Sequence, residues 1–202
     1  MAIEGLLLDV GGVIGTNGWD RHARKRACEK FHLEQEDTDS RHKMVFDTYE
    51  EGKWTLDDYL DRVIFYKPRD FSREEFTAFM YAASEPWPDM IDLVKRLKKK
   101  YDLHITICSN EGRELTLHRV ELFGLKTFVD TFVFSCFVHA RKPDPEMYQI
   151  ALDLSLRNAD QMIYLDDRAL FVELAAKQGI RGVVHRDYET TRKELAAFGL
   201  VD

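Results

Sequence analysis

With 202 residues, 45% hydrophobic and 32% charged, the chain can bury one core, or one core with an insertion, and still keep a polar surface. A net charge of −7 with no dense Lys/Arg block argues against a nucleic-acid partner, and the most basic run, 95–100, follows apolar Met90, Ile91 and Val94 in a helical pattern that reads as a solvated helix face. No apolar run reaches the roughly 20 residues of a membrane span, no basic-then-apolar leader opens the sequence, and Cys28, Cys108 and Cys136 lack a CxxC spacing, so the expectation is a reduced, cytoplasmic protein without membrane attachment.

Residues 5–9, mostly leucine, predict a buried first strand that ends at Asp9 and runs into Val10-Gly11-Gly12. Between 17 and 85 strand-like runs vanish. Helical periodicity covers 20–31, 40–50, 56–65 and 72–83, and Ser72 stands three residues before Glu75, the spacing of a capping box. This segment predicts an all-helical insertion, closed by Pro86-Trp87-Pro88. Helices and strands then alternate: helices at 90–99, 113–123, 145–154, 169–177 and 189–198, strands at 104–108, 131–135, 162–165 and 182–184. Such alternation predicts an α/β fold, a Rossmann-like parallel sheet with helices on both faces. Its core would comprise 1–16 and 86–202, interrupted by the helical insert 17–85.

Ligands of a parallel sheet bind at the carboxyl ends of its strands. Asp9, Ser109 and Asp166-Asp167 each close an apolar run, and Lys142 lies in the stiff segment Ala140-Arg141-Lys142-Pro143-Asp144-Pro145. Read singly, each has two meanings. Asp9 is a turn residue or a carboxylate nucleophile that forms an aspartyl phosphate. Gly11 and Gly12 permit a tight turn and bring backbone N–H groups to a ligand, without forming a dinucleotide fingerprint. Ser109 and Asn110 cap the following helix, hold a phosphoryl oxygen, or both. Lys142 is a surface lysine or a partner for a carboxylate and a phosphate; at about 4 Å and an effective dielectric near 20, one such pairing is worth about 4 kcal/mol before desolvation.

Two adjacent carboxylates at a buried strand end are costly unless a cation offsets them. Mg²⁺ takes oxygen ligands and keeps several waters, so Asp9, Asp167, the Gly11 carbonyl and water would suffice. The alternative is that one aspartate caps the next helix. The histidines show no paired metal spacing; His139 is near enough to Lys142 to reach the same rim, though a loop histidine is the simpler reading. Trp19 packs or walls a pocket, and Trp54 and Trp87 are most simply packing residues.

In this order Asp9, Ser109, Lys142 and Asp166-Asp167 resemble the four motifs of the haloacid dehalogenase (HAD) superfamily, and the helical insert resembles its small C1-type cap. The resemblance covers the whole chain. It implies a Rossmann-like core, Mg²⁺ as cofactor, a small phosphorylated molecule as substrate and, most often, phosphatase activity. Asp9 would attack phosphorus. Ser109, with Gly11, Gly12 and Asn110, would hold the phosphoryl group, and Lys142 would pair with both. Asp167, helped by Asp166, would bind the metal with Asp9 and Gly11.

Two positions depart from the pattern. Family phosphatases carry a second aspartate two residues after the nucleophile for general acid–base catalysis, help typically worth 10²–10⁴-fold; here that position is Gly11. Where the family often supports the metal with Asp or Asn, this chain has Phe171. Three expectations follow. The first is a phosphatase favouring good leaving groups, such as anomeric sugar phosphates or acyl phosphates. The second is a binding or regulatory protein that kept the fold and lost turnover. The third is a 2-haloacid dehalogenase, in which Asp9 attacks carbon; that chemistry needs no acid at position 11 but has no use for the acidic pair. The insert would choose the substrate, yet Tyr49, Lys53 and Trp54 spell no recognisable code. No heptad run predicts an oligomeric state.

Overall fold

A computed structural model describes residues 2–202. Five parallel strands form one sheet in the order β3-β2-β1-β4-β5: β1 (Gly5–Leu8), β2 (His104–Ser109), β3 (Thr131–Phe134), β4 (Met162–Asp166) and β5 (Arg181–Val184). Sequence and structure agree on an α/β, Rossmann-like architecture. The chain leaves β1 towards β2 and β3, then returns to β4 and β5 on the other side. That reversal opens a crevice at the carboxyl ends of β1 and β4, where α/β sheets bind ligands.

The leucine run of β1 is explained by burial on both faces. Leu6 and Leu8 join one apolar cluster with Ile105, Ile107, Ile163 and Leu165, covered by α5 (Pro88–Tyr101) and α10 (Tyr188–Ala197). Leu7 points the opposite way, into a second cluster with Cys108, Val133 and Tyr164, covered by α8 (Pro145–Ser155) and α9 (Ala169–Lys177). This is the two-residue alternation of a strand. All three leucines are fully buried, each worth about 1.5–3 kcal/mol of transfer free energy. The basic end of α5 is solvated as expected: Lys95, Lys99 and Lys100 are exposed, and Lys98–Lys100 sit in the last turn, where they complement the helix dipole.

Between β1 and α5 the described residues form helices and no strand: α1 (Arg21–Lys30), α2 (Gln35–Glu50), α3 (Leu56–Val63) and α4 (Arg73–Ala82). They share an apolar cluster of their own, rich in aromatic rings such as Trp19, Phe31, Tyr59 and Phe76. The capping box expected at Ser72 and Glu75 is present in both directions. Helix α2 starts at Gln35, earlier than the expected residue 40, because its first turn is entirely polar and carries no apolar periodicity to read. The strand expected over 131–135 ends at Phe134, and Ser135–Val138 forms the short helix α7.

The insert joins the core through two segments bonded to each other. Thr16 N donates to Glu85 O at 2.9 Å, and Trp87 N donates to Ile14 O at 2.9 Å. A further set of links fastens the end of α2 to the core. Arg141 pairs with Asp47 at 2.8 Å and with Glu50 at 2.5 Å. Ser135 Oγ donates to Glu50 O at 2.7 Å, and His139 Nδ1 donates to Glu51 O at 2.7 Å. His139 is thereby turned to the insert and does not line the cleft described next. The three cysteines are buried and free. Among the described residues no helix is long and apolar enough to cross a membrane.

Candidate active site

At the crevice the strand ends and the insert enclose a cleft of about 610 Å³, lined among others by Asp9, Gly11, Ser109, Asn110, Lys142 and Asp167. Asp9 continues the ladder beyond β1, its N–H donating to Leu165 O at 2.9 Å, while its Oδ1 accepts from Val10 N at 2.9 Å. The backbone then turns sharply, with Gly12 N donating to Gly15 O at 2.7 Å. Gly12 has φ +73°, and a β-carbon there would lie 2.4 Å from Asp167 Oδ2. Glycine is needed here for both backbone conformation and space.

Lys142 is buried, and its ammonium has three partners: Asp166 Oδ2 at 2.7 Å, Tyr164 OH at 3.0 Å and Asp9 Oδ1 at 3.1 Å. Three N–H groups meet three acceptors, which fully satisfies a lysine. The rings of Tyr164 and Phe171 lie 5.6 and 5.2 Å from Nζ, within cation–π range. Burial opposes the charge, but the carboxylates of Asp9 and Asp166 more than offset it, so the Lys142 pKa is raised and the group stays charged. Burial likewise pushes Asp9 up, to about 6, against the downward pull of Lys142 and of a hydrogen bond from Ser109; Asp166 adds to the rise.

Asn110 acts on the same lysine through the backbone. Its Oδ1 accepts from Lys142 N and its Nδ2 donates to Lys142 O, both at 2.8 Å. One N–H and the oxygen of its amide are therefore engaged by the Lys142 segment, and Asn110 also lines the cleft. The capping alternatives for Ser109, Asn110 and the acidic pair are not realised: the N-cap of α6 (Arg113–Leu122) is Gly112 and that of α9 is Arg168, both without a side-chain cap bond among the described residues.

The two adjacent aspartates differ. Asp166 is fully buried and committed at both oxygens, Oδ1 accepting from Arg168 N at 2.8 Å and Oδ2 from Lys142 and Tyr164. Asp167 accepts from Asn17 Nδ2 at 3.2 Å through Oδ2, while its Oδ1 is buried without a partner among the described residues. Asp9, Asp166 and Asp167 offer one oxygen each within 4.8 Å of one another. An all-oxygen donor set with a buried, orphaned carboxylate oxygen fits a hard divalent cation such as Mg²⁺. Asp167 and Asp9 could hold it directly, and Asp166 serves as the partner of Lys142. Phe171 contributes no oxygen; its ring closes the apolar side of the lysine.

Trp19 lines the cleft and packs the insert, its Nε1 donating to Tyr59 OH at 2.8 Å. Tyr164 escaped the sequence reading, although strand periodicity carries the signal: two residues before Asp166, it shares that residue's face. Asn17 also escaped, because only the turn after Asp9 brings it back to Asp167.

The haloacid dehalogenase-like hydrolase profile matches residues 3–179. The chain belongs to the haloacid dehalogenase-like hydrolases. An enzyme of the HAD family from Bacteroides thetaiotaomicron, solved with magnesium and inorganic phosphate, superposes with TM-score 0.78 at 19% identity, covering 92% of this chain and 95% of that one. A defluorinating L-2-haloacid dehalogenase superposes with TM-score 0.62 at 20% identity, covering 89% and 80%. Likeness at these identities establishes the shared HAD-like fold. In sequence, 71 residues are 30% identical to bifunctional epoxide hydrolase 2 of Sus scrofa, a match spanning 35% of this chain and 13% of that protein. The proteins this chain is similar to thus carry different named chemistries, and the choice among them rests on the residues of the cleft.

Proposed function

We propose that this chain is a Mg²⁺-dependent phosphatase of small phosphorylated molecules, acting through an aspartyl phosphate on Asp9. The observation that carries the reading is the pairing of Asp9 with buried Lys142 next to the orphaned oxygen of Asp167. Asp9 approaches phosphorus as its carboxylate. Lys142 keeps that carboxylate ionised and holds part of the phosphoryl charge in a site where little water screens it. Ser109 lines the cleft beside Asp9 and turns its hydroxyl to a phosphoryl oxygen when substrate enters. Asn110 fixes the segment that carries Lys142. Asp9, Asp167 and the Gly11 carbonyl would hold Mg²⁺, which would supply Lewis-acid stabilisation of the transferring phosphoryl group. Water then attacks the aspartyl phosphate, releasing inorganic phosphate and restoring Asp9. The helices of 17–85 act as the cap over the cleft. The acidic pair favours phosphorus over carbon as the electrophile, because displacement at carbon gains nothing from a bound cation.

The test is phosphate release from p-nitrophenyl phosphate and a panel of sugar phosphates, with Mg²⁺ and with EDTA. Expected is Mg²⁺-dependent turnover that Asp9→Asn abolishes. Unchanged turnover in Asp9→Asn would overturn the reading. A second reading, phosphate-ester binding without turnover, is favoured by Gly11, which places no acid beside Asp9; it predicts tight binding and no release of phosphate across the panel.

A further inference from the structure

The turn after Asp9 folds back on itself and sets Asn17 against Gly11. A β-carbon built on Gly11 would lie 2.8 Å from Asn17 Oδ1 and 3.3 Å from Asn17 Cα. Asn17 therefore fills, from the far side of the turn, the volume that a side chain at position 11 would take. It is exposed to the cleft that Asp9, Gly11 and Asp167 also line. A carboxamide has two N–H donors and one carbonyl oxygen. One N–H goes to Asp167 Oδ2 at 3.2 Å, and among the described residues the rest of the amide has no partner. Three other polar groups of the cleft are engaged: Glu50 with Arg141, Glu111 with Arg119, and His42 with Tyr59.

We propose that Asn17 organises this site in place of a side chain at position 11: one N–H aligns Asp167 so that its orphaned oxygen faces the cation, and the other is offered to the oxygen leaving phosphorus. The second half rests on the phosphatase reading; the first does not. In the reaction, an Asp9 oxygen forms the bond to phosphorus as the bond from phosphorus to the leaving oxygen breaks. The electron pair stays on that oxygen, which accepts a hydrogen bond from Asn17 and takes its proton from water. An amide gives no proton, so the substrates are esters whose leaving oxygen is stable as an anion or nearly so.

The experiment compares the wild type with Asn17→Ala, which empties the position, and Asn17→Leu, which fills it without polar atoms. Mg²⁺ affinity is titrated calorimetrically in the absence of substrate, and kcat and KM are measured on nitro-, chloro- and unsubstituted phenyl phosphates. Both variants are expected to keep the wild-type melting profile, since Asn17 is exposed, and to bind Mg²⁺ about 10-fold more weakly, the scale of losing a residue that orients a ligand. For phenyl phosphate, kcat should fall by about 10²-fold, as when one preorganised donor is removed, with p-nitrophenyl phosphate losing less and KM little changed. Wild-type Mg²⁺ affinity and an unchanged dependence on leaving group in Asn17→Leu would overturn the proposal. If the wild type hydrolyses no aryl phosphate, the phosphatase reading fails by itself, and the Mg²⁺ titration alone decides the role of Asn17 towards Asp167.

Discussion

Lys142 and Asp166 form a fully buried ion pair, Nζ to Oδ2 at 2.7 Å. The same ammonium serves Asp9 at 3.1 Å, so its removal strands two carboxylates at once. Lys142→Met is expected to destabilise the metal-free protein by about 3–5 kcal/mol, the usual result of breaking a buried pair from one side, and to abolish turnover. Urea unfolding in EDTA reads the first effect. Lys142→Met combined with Asp166→Asn should recover part of the loss, because one stranded charge is gone.

Asp167 Oδ1 is the orphan of the site, which makes cation binding measurable as stability. With Mg²⁺ at 100 times its Kd, the midpoint of thermal unfolding should rise by the equivalent of about 2.7 kcal/mol. Asp167→Asn should lose most of that shift while melting in EDTA much like the wild type.

Arg141 joins the insert to the segment that carries Lys142. Burial raises the carboxyl pKa of Glu50, and Arg141 pulls it back down. Arg141→Ala should therefore leave a buried acid unpaired and cost about 3 kcal/mol. Arg141→Ala with Glu50→Ala should cost less than the sum of the single changes, a coupling of about 1–3 kcal/mol in a double-mutant cycle. A coupling near zero would show that the clasp does not hold the insert.

His42 is half-buried within the insert, with Nδ1 bonded to Tyr59 OH at 2.9 Å. Burial, reinforced by Arg24, pushes its pKa from 6.5 down to about 3. Below its ordinary pKa the unfolded chain takes up a proton that the folded chain refuses. Its contribution is thus present in full above pH 6.5 and is lost as the pH falls towards 3, with a slope of up to about 1.4 kcal/mol per pH unit. His42→Gln should flatten that part of the stability profile in urea titrations run from neutral to mildly acidic pH.

The sequence exposed those features that follow from local order. Leu6-Leu7-Leu8 announces a strand buried on both faces, Ser72 and Glu75 announce a helix start, and Asp9 and Asp166 stand where a parallel sheet gathers polar groups. Residues whose placement depends on distant chain escaped. Nothing local to Asn110 shows that its amide bonds the backbone of Lys142, which only the return of the chain at residue 142 brings near. Nothing local separates Asp166 from Asp167, since their different partners come from β4, α9 and the turn after Asp9. The polar start of α2 could not be read from periodicity, because that turn has no apolar residue to supply one.

The strand order also dictates a schedule of synthesis. β1 has no neighbour close in sequence: Leu8 pairs with Ile107 on one side and Leu165 on the other. During translation at about 5–20 residues per second, the first strand leaves the ribosome seconds before either partner exists. The helices of the insert, which hold an apolar cluster of their own, emerge in that interval and can assemble while the leucines of β1 wait. Those leucines are then the sticky part of the nascent chain, and the sheet that shelters them closes only after β4 has been made.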